Sequence, residues 1–204
     1  MKKLSGYMLP FSLAEAAPSI DYPLRLQLMH WLAHEPMHCL ALQVAQRVAR
    51  EFALQDYLLA AGFIRNLVWD KLHQQAVRPV ADIDFIYFDG RHLLADEQAI
   101  EARLIALAPD LPWSVKNQAR MHLRNGDSPY LNVLDAMGYW PEQETAVGVK
   151  LSTDNKLVLH AAFGFSSLFN LNLTANPKKN SVVFTQRIKQ KSWLRHYPLL
   201  KVVG

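Results

Sequence analysis

Residues 79–90, PVADIDFIYFDG, constrain this chain more than any other stretch. Aromatic and β-branched residues fill it, Pro79 leads in, and Asp89-Gly90 closes it with a turn, the pattern of a β-strand. Side chains alternate faces along a strand. Ala81, Ile83, Phe85 and Tyr87 therefore share one side, and Asp82, Asp84, Ile86 and Phe88 share the other. Two carboxylates two residues apart on one face lie roughly 6 to 7 Å from each other at the backbone. At an effective dielectric of about 20 their repulsion is about 2 to 3 kcal/mol. Either that face is open to water at a sheet edge, or a divalent cation lies between the acids. Mg²⁺ suits the second case, because it takes one or two carboxylates and completes its shell with substrate phosphates.

The rest of the chain supplies a sheet for this strand. Apolar residues at helical spacing predict helices over 22–33 and 37–51, with Pro23 and Pro36 in their first turns. A buried strand over 55–62 and a helix over 64–75 follow. After the Asp-bearing strand at 81–88 come a helix over 96–108, with Asp96 as its N-cap, and a third strand over 113–122. A short helix is expected at 133–140, a hairpin from TAVGVKL and LVLHAAF around STDNK, and a short helix at 166–170. VVFTQRIKQKSWLRHY reads as one basic C-terminal helix. This order predicts an α/β (α+β) fold, a mixed sheet with helices packed mainly on one face.

With 204 residues, 50% of them hydrophobic, the chain can bury a substantial core. Residues 21–204 read as a single domain whose part from about 141 onward carries the hairpin and basic helix. Residues 1–20 read as a leader. Met1-Lys2-Lys3, LSGYMLPFSL and Ala14-Glu15-Ala16 have the outline of a secretory signal, but Ser5, Gly6 and Pro10 weaken its apolar centre. No run of about 18 apolar residues is present, so no membrane partner is expected. Cys39 is the one cysteine, so no internal disulfide forms and a reducing, cytoplasmic setting is expected. A net charge of +4 and a pI near 9.2 favour anionic partners.

Upstream of the aspartates, AAGFIRN places Gly62 where a strand gives way to a helix, with Arg65 and Asn66 in the first turns. A glycine there lets a phosphate approach the backbone, and the helix N-terminus favours negative charge. Arg65 adds a bidentate donor. Glycine also serves tight turns at such junctions for purely structural reasons.

Strand, glycine, helix and then a strand bearing Asp-x-Asp resembles the polymerase-β-type nucleotidyltransferase superfamily. GFIRNLVWD, DIDFIYFD, WSVKNQARMH, TAVGVKL and GFSSLFNLNLTANP are similar to a bacterial group of nucleotidyltransferases within it, over roughly residues 35 to 200. The resemblance implies a nucleotidyltransferase-like fold and transfer of an NMP group from an NTP to an acceptor hydroxyl. It implies Mg²⁺ (or Mn²⁺) on Asp82 and Asp84 as the catalytic and metal-binding residues, and the triphosphate at Gly62. Two features depart from the superfamily. Phe63 and Ile64 follow Gly62 where Gly-Ser or Gly-Gly is usual, and the 113–122 strand lacks the third carboxylate many members carry. Lys116, Asn117 and Arg120 stand there instead, either as phosphate or base contacts or as polar residues of a half-exposed strand.

Two further motifs need weighing. HEPMH (34–38) matches the His-Glu-x-x-His zinc-protease pattern, whose histidines must lie one turn apart within a helix. Pro36 between them starts a helix instead, so the match is a coincidence. Arg187, Lys189, Lys191, Arg195 and Lys201, interleaved with Trp193 and Tyr197, are either a nucleic-acid contact or a solvated face whose apolar side packs inward; the solvated face is favoured. Three functions compete: an NTP-consuming transferase, a non-catalytic nucleotide-binding module, and a basic nucleic-acid-binding or toxin–antitoxin-type protein.

Overall fold

The computed structural model describes residues 21–203; the expected leader lies outside them. In chain order the elements are α1 (Tyr22–His34), α2 (Pro36–Glu51), β1 (Tyr57–Ala60), α3 (Gly62–Leu72), β2 (Ile83–Tyr87), α4 (Leu94–Leu107) and β3 (Trp113–Asn117). Then come α5 (Gln118–Asn125), α6 (Val133–Met137), a 3-10 turn (Gln143–Thr145), β4 (Val147–Leu151), β5 (Leu157–Ala161) and α7 (Ser166–Phe169). The chain finishes with β6 (Asn172–Thr174), α8 (Ser181–Lys191), α9 (Trp193–His196) and β7 (Lys201–Val203).

Five strands form one sheet in the order β3-β2-β1-β4-β5. β2 and β3 run parallel, joined by the crossover helix α4, and every other pair in this sheet is antiparallel. The mixed sheet expected from the sequence is present.

The alternation along β2 sorts its side chains as the sequence predicts. Ile83, Phe85 and Tyr87 are buried in the main core with Leu28, Leu42, Leu67, Ile100 and Trp113, between one sheet face and helices α1 to α4. The opposite face carries a smaller cluster in which Ile86 meets Leu58, Ala60, Val133 and Met137, with Trp140 and Phe88 packed against it. Helices therefore cover mainly one face, and the second is only partly roofed. Asp70, wholly buried in α3, accepts bonds from Arg78 N and Nε, both at 3.0 Å. This pair fastens the loop that delivers the chain into β2.

Four expectations need correction. The third strand stops at Asn117, and 118–125 is helical. Asn117 Oδ1 caps that helix by accepting from Ala119 N at 3.1 Å, and Gly126 ends it at φ 68°. Asp96 is not the N-cap of α4. It lies in the first turn, where its carboxylate accepts from Leu93 N at 2.7 Å. The basic C-terminal segment is two helices, because Ser192 takes a left-handed conformation (φ 52°) between them. Finally, α3 begins at Gly62, not two residues later. The HEPMH histidines fall on different helices. His34 ends α1, while His38 in α2 is buried against the Phe63 carbonyl, its Nε2 at 3.0 Å.

Candidate active site

The register of β1 against β2 assembles the site. Ala60, the last residue of β1, lies opposite Asp84. Asp82 lies one residue before β2, and Gly62 lies two residues beyond Ala60, where the chain turns into α3. Opposed residues on neighbouring strands are only about 5 Å apart at Cβ. The two acids and the glycine turn, some twenty residues apart in sequence, therefore share one end of the sheet.

The turn is built by a strained residue. Ala61 has φ 56° and ψ −121°, a conformation that costs a non-glycine residue about 1 to 3 kcal/mol. Its carbonyl accepts from Ile64 N at 3.2 Å and Arg65 N at 2.9 Å, which closes the first turn of α3. The amides of Gly62 and Phe63 have no partner among the described residues. The unmet amides and the helix dipole make the turn a place for an anion.

Gly62 itself is not in the left-handed region. A β-carbon there would lie 3.4 Å from Asn66 Nδ2 and 3.6 Å from Arg65 Nη2, in ordinary contact. Neither backbone conformation nor packing requires a glycine; what a side chain would occupy is the space between two nitrogen donors. Arg65 is buried and held in place. Its Nη1 donates to Thr145 Oγ1 at 2.7 Å and its Nη2 to Asn66 Oδ1 at 3.0 Å. Its guanidinium lies 4.5 Å from the Trp193 ring centre. Burial lowers its pKa to about 10, so it stays cationic.

The acids differ. Asp82, just before β2, is exposed, whereas Asp84 is half-buried. Burial, with the charge of Asp82 added, pushes the Asp84 carboxyl up to about 6. Neither acid has an ion-pair partner among the described residues. Asp84 lines a cavity of about 350 Å³ together with Ala61, Ile86, Lys116, Trp140, Thr145 and Arg187.

Comparison with known proteins identifies the family and the fold. A family model described as Nucleotidyltransferase matches residues 47–202. The chain belongs to that family. An NMR structure described as revealing a CCA-adding enzyme head domain is 26% identical, with a TM-score of 0.76 over 88% of this chain and 95% of that one. A CCA-adding enzyme in complex with CTP shares the nucleotidyltransferase fold at 13% identity and a TM-score of 0.57, over 88% of this chain and 43% of that one. A tRNA-processing enzyme in an apo form does so at 15% identity and a TM-score of 0.50, covering 78% of this chain. This nucleotidyltransferase chain spans less than half the length of those two proteins. Among curated proteins nothing matches.

Of the remaining residues expected to touch nucleotide, the nucleotidyltransferase chain brings some to the site and uses others elsewhere. Lys116, one strand over and in register with Ile86, lines the cavity. Asn117 does not; its side chain is buried and spent on the backbone, donating to Asp89 O at 2.8 Å and accepting from Asp89 N and Ala119 N. Arg120 is likewise committed, to Glu97 at 3.1 Å and His92 O at 3.0 Å. Sequence reading missed Ala61, Thr145, Glu142 and Trp140, and it favoured a solvated face for Arg187, which lines the cavity wall. A residue after a strand and before Gly62 was the one legible signal, for Ala61. No helix among the described residues is long and apolar enough to cross a membrane.

Proposed function

We propose that the protein transfers a nucleoside monophosphate from an NTP to an acceptor hydroxyl, using Mg²⁺ or Mn²⁺ held by Asp82 and Asp84. The observation that supports this reading is the β1–β2 register, which pairs Asp84 with Ala60, two residues before Gly62, in a chain of the nucleotidyltransferase family. The acids fit a hard cation: they are two oxygen donors on one side of β2, without ion pairs among the described residues, and Mg²⁺ commonly takes two carboxylates plus phosphates and water. When bound, such an ion offsets the charge of the triphosphate and polarises the phosphoryl group under attack.

The chain's own residues do the positioning. The Gly62 and Phe63 amides and Asn66 Nδ2 donate to phosphate oxygens, and Arg65, oriented by Thr145, supplies positive charge that does not titrate near neutrality. Lys116 faces the same space from β3. Trp140 and Ile86 supply the apolar part of the cavity wall. In the transfer, the acceptor oxygen bonds to the α-phosphorus, the bond to the bridging oxygen breaks, pyrophosphate leaves and the acceptor proton passes to solvent.

Thermal denaturation with each of the four NTPs, with and without Mg²⁺ or Mn²⁺, tests the reading. At least one NTP is expected to stabilise the protein when metal is present, by about 2.7 kcal/mol at a hundred times its Kd. No stabilisation by any NTP–metal pair would sink it. A second reading has one observation in its favour: among the described residues no group of three metal-ligating side chains exists. A non-catalytic nucleotide-binding module is then the outcome if NTP binds with metal but pyrophosphate is never released.

A further inference from the structure

The C-terminal basic segment enters the site by a route its sequence does not display. Arg187, half-buried on α8, lines the cavity beside Ala61, Asp84 and Thr145. It is held there by Glu142, which is fully buried and takes Arg187 Nε at 2.5 Å and Nη2 at 3.3 Å. Glu142 directly precedes the 3-10 turn that carries Thr145, the residue orienting Arg65. One buried carboxylate thus holds Arg187 directly, and its charge helps keep Arg65 ionised. Lys191 lies four residues beyond Arg187, one turn further along the same helix face. It is exposed, and its charge is among those that act on Asp84.

We propose that α8 is the far wall of the nucleotide site, with Arg187 and Lys191 binding the outer phosphates of the triphosphate and Glu142 positioning Arg187. This rests on the nucleotidyl-transfer reading above. The chemistry is a matter of count. A nucleoside triphosphate brings about four negative charges, against which the turn offers amides and the Arg65 guanidinium and β3 offers Lys116. Two further cations from α8 recognise the phosphates that a monophosphate lacks. The competing account is structural: Arg187–Glu142 ties α8 to the domain, and Lys191 merely complements the helix C-terminus.

The full chain is used, with the NTP that stabilises it most, the matching NMP, and Mg²⁺. Two variants are compared with the wild type: Lys191→Gln, at an exposed position, and the double variant Glu142→Gln/Arg187→Gln. The double variant avoids stranding a buried charge, which removal of Arg187 alone would do. Loss of a charge-assisted phosphate contact is expected to raise the Kd for NTP roughly 10- to 100-fold. The Kd for NMP should change less than about threefold, and the melting temperature of Lys191→Gln should match the wild type. Equal losses for NTP and NMP, or unchanged NTP affinity in Lys191→Gln and the double variant, overturn the proposal while leaving the transfer reading intact. A wild type that binds no NTP brings down both, and the wild-type arm alone reveals it.

Discussion

Asp84→Asn is expected to abolish nucleotidyl transfer and, at the same time, to raise the stability of the apo protein. The two signs are opposed because the wild-type carboxylate is held in a place that disfavours its charge. Burial and the neighbouring Asp82 push its pKa up to about 6, from an ordinary value of 3.8. A carboxyl whose folded-state pKa is raised binds protons more tightly folded than unfolded. Its charge therefore costs stability that is fully felt above about pH 6 and relieved as pH falls towards 4. Two pKa units correspond to roughly 3 kcal/mol, an upper figure for a group that keeps some contact with water. Asparagine removes the cost and with it the charge a cation needs. Melting curves of wild type and variant should differ at pH 7.5 and converge near pH 4. Transfer, followed by pyrophosphate release, should fall by about a thousandfold or more, as for groups acting on developing charge. Metal-dependent stabilisation by NTP should also vanish. An Asp84→Asn protein that still binds NTP with metal as the wild type does would mean that the cation sits elsewhere.

Gly62→Ala is expected to weaken NTP binding strongly with little effect on folding. These roles separate because the strained torsions belong to Ala61, not to Gly62. A β-carbon at residue 62 meets only Asn66 Nδ2 and Arg65 Nη2, at 3.4 and 3.6 Å. Alanine also has the better helix propensity, by about 1 kcal/mol in a helix interior and less at a first turn. Stability should thus hold or rise slightly. The methyl group, however, fills the space where a phosphate must approach the Gly62 and Phe63 amides. A loss of NTP affinity of roughly 30-fold or more is expected, by analogy with losing one or two charge-assisted hydrogen bonds. Paired measurements of melting temperature and NTP affinity decide it. Parallel losses in both would make the glycine a structural turn and no more.

What the sequence made legible followed period and local chemistry. β2 was readable because alternation, aromatic content and two misplaced-looking aspartates coincide within a few residues. The turn at Gly62 was readable because a short apolar strand ends there. The register was not: that Ala60 faces Asp84 depends on how the loop fastened by Asp70 and Arg78 returns the chain to the sheet. α5 was misread because SVKNQARMH continues to alternate past Asn117, although Asn117 and Gly126 are cap residues at its two ends. Asn117 was taken for a nucleotide contact on its polarity, and that polarity is consumed by backbone amides and carbonyls. Arg187 and Glu142 lay hidden for another reason. They are 45 residues apart, and a run of lysines and arginines on a helix reads as a solvated face until a buried carboxylate is seen across from it.

The place of β1 in the sheet has a consequence for how the site can move. It is flanked by β2 on one side and β4 on the other, so the strand leading into the Gly62 turn is the middle of five. Amides there exchange with solvent only when several strands part together, which demands much of the global unfolding free energy. The ends of β1 and β2 that carry the Gly62 turn and Asp84 are therefore held in relative position by the sheet. The opposite wall is anchored too: Phe184 of α8 and Trp193 beyond the left-handed Ser192 are buried in the main core, Ile188 packs against it, and Arg187 is paired with Glu142. Slow amide exchange is therefore expected along β1, and faster exchange along the exposed face of α8.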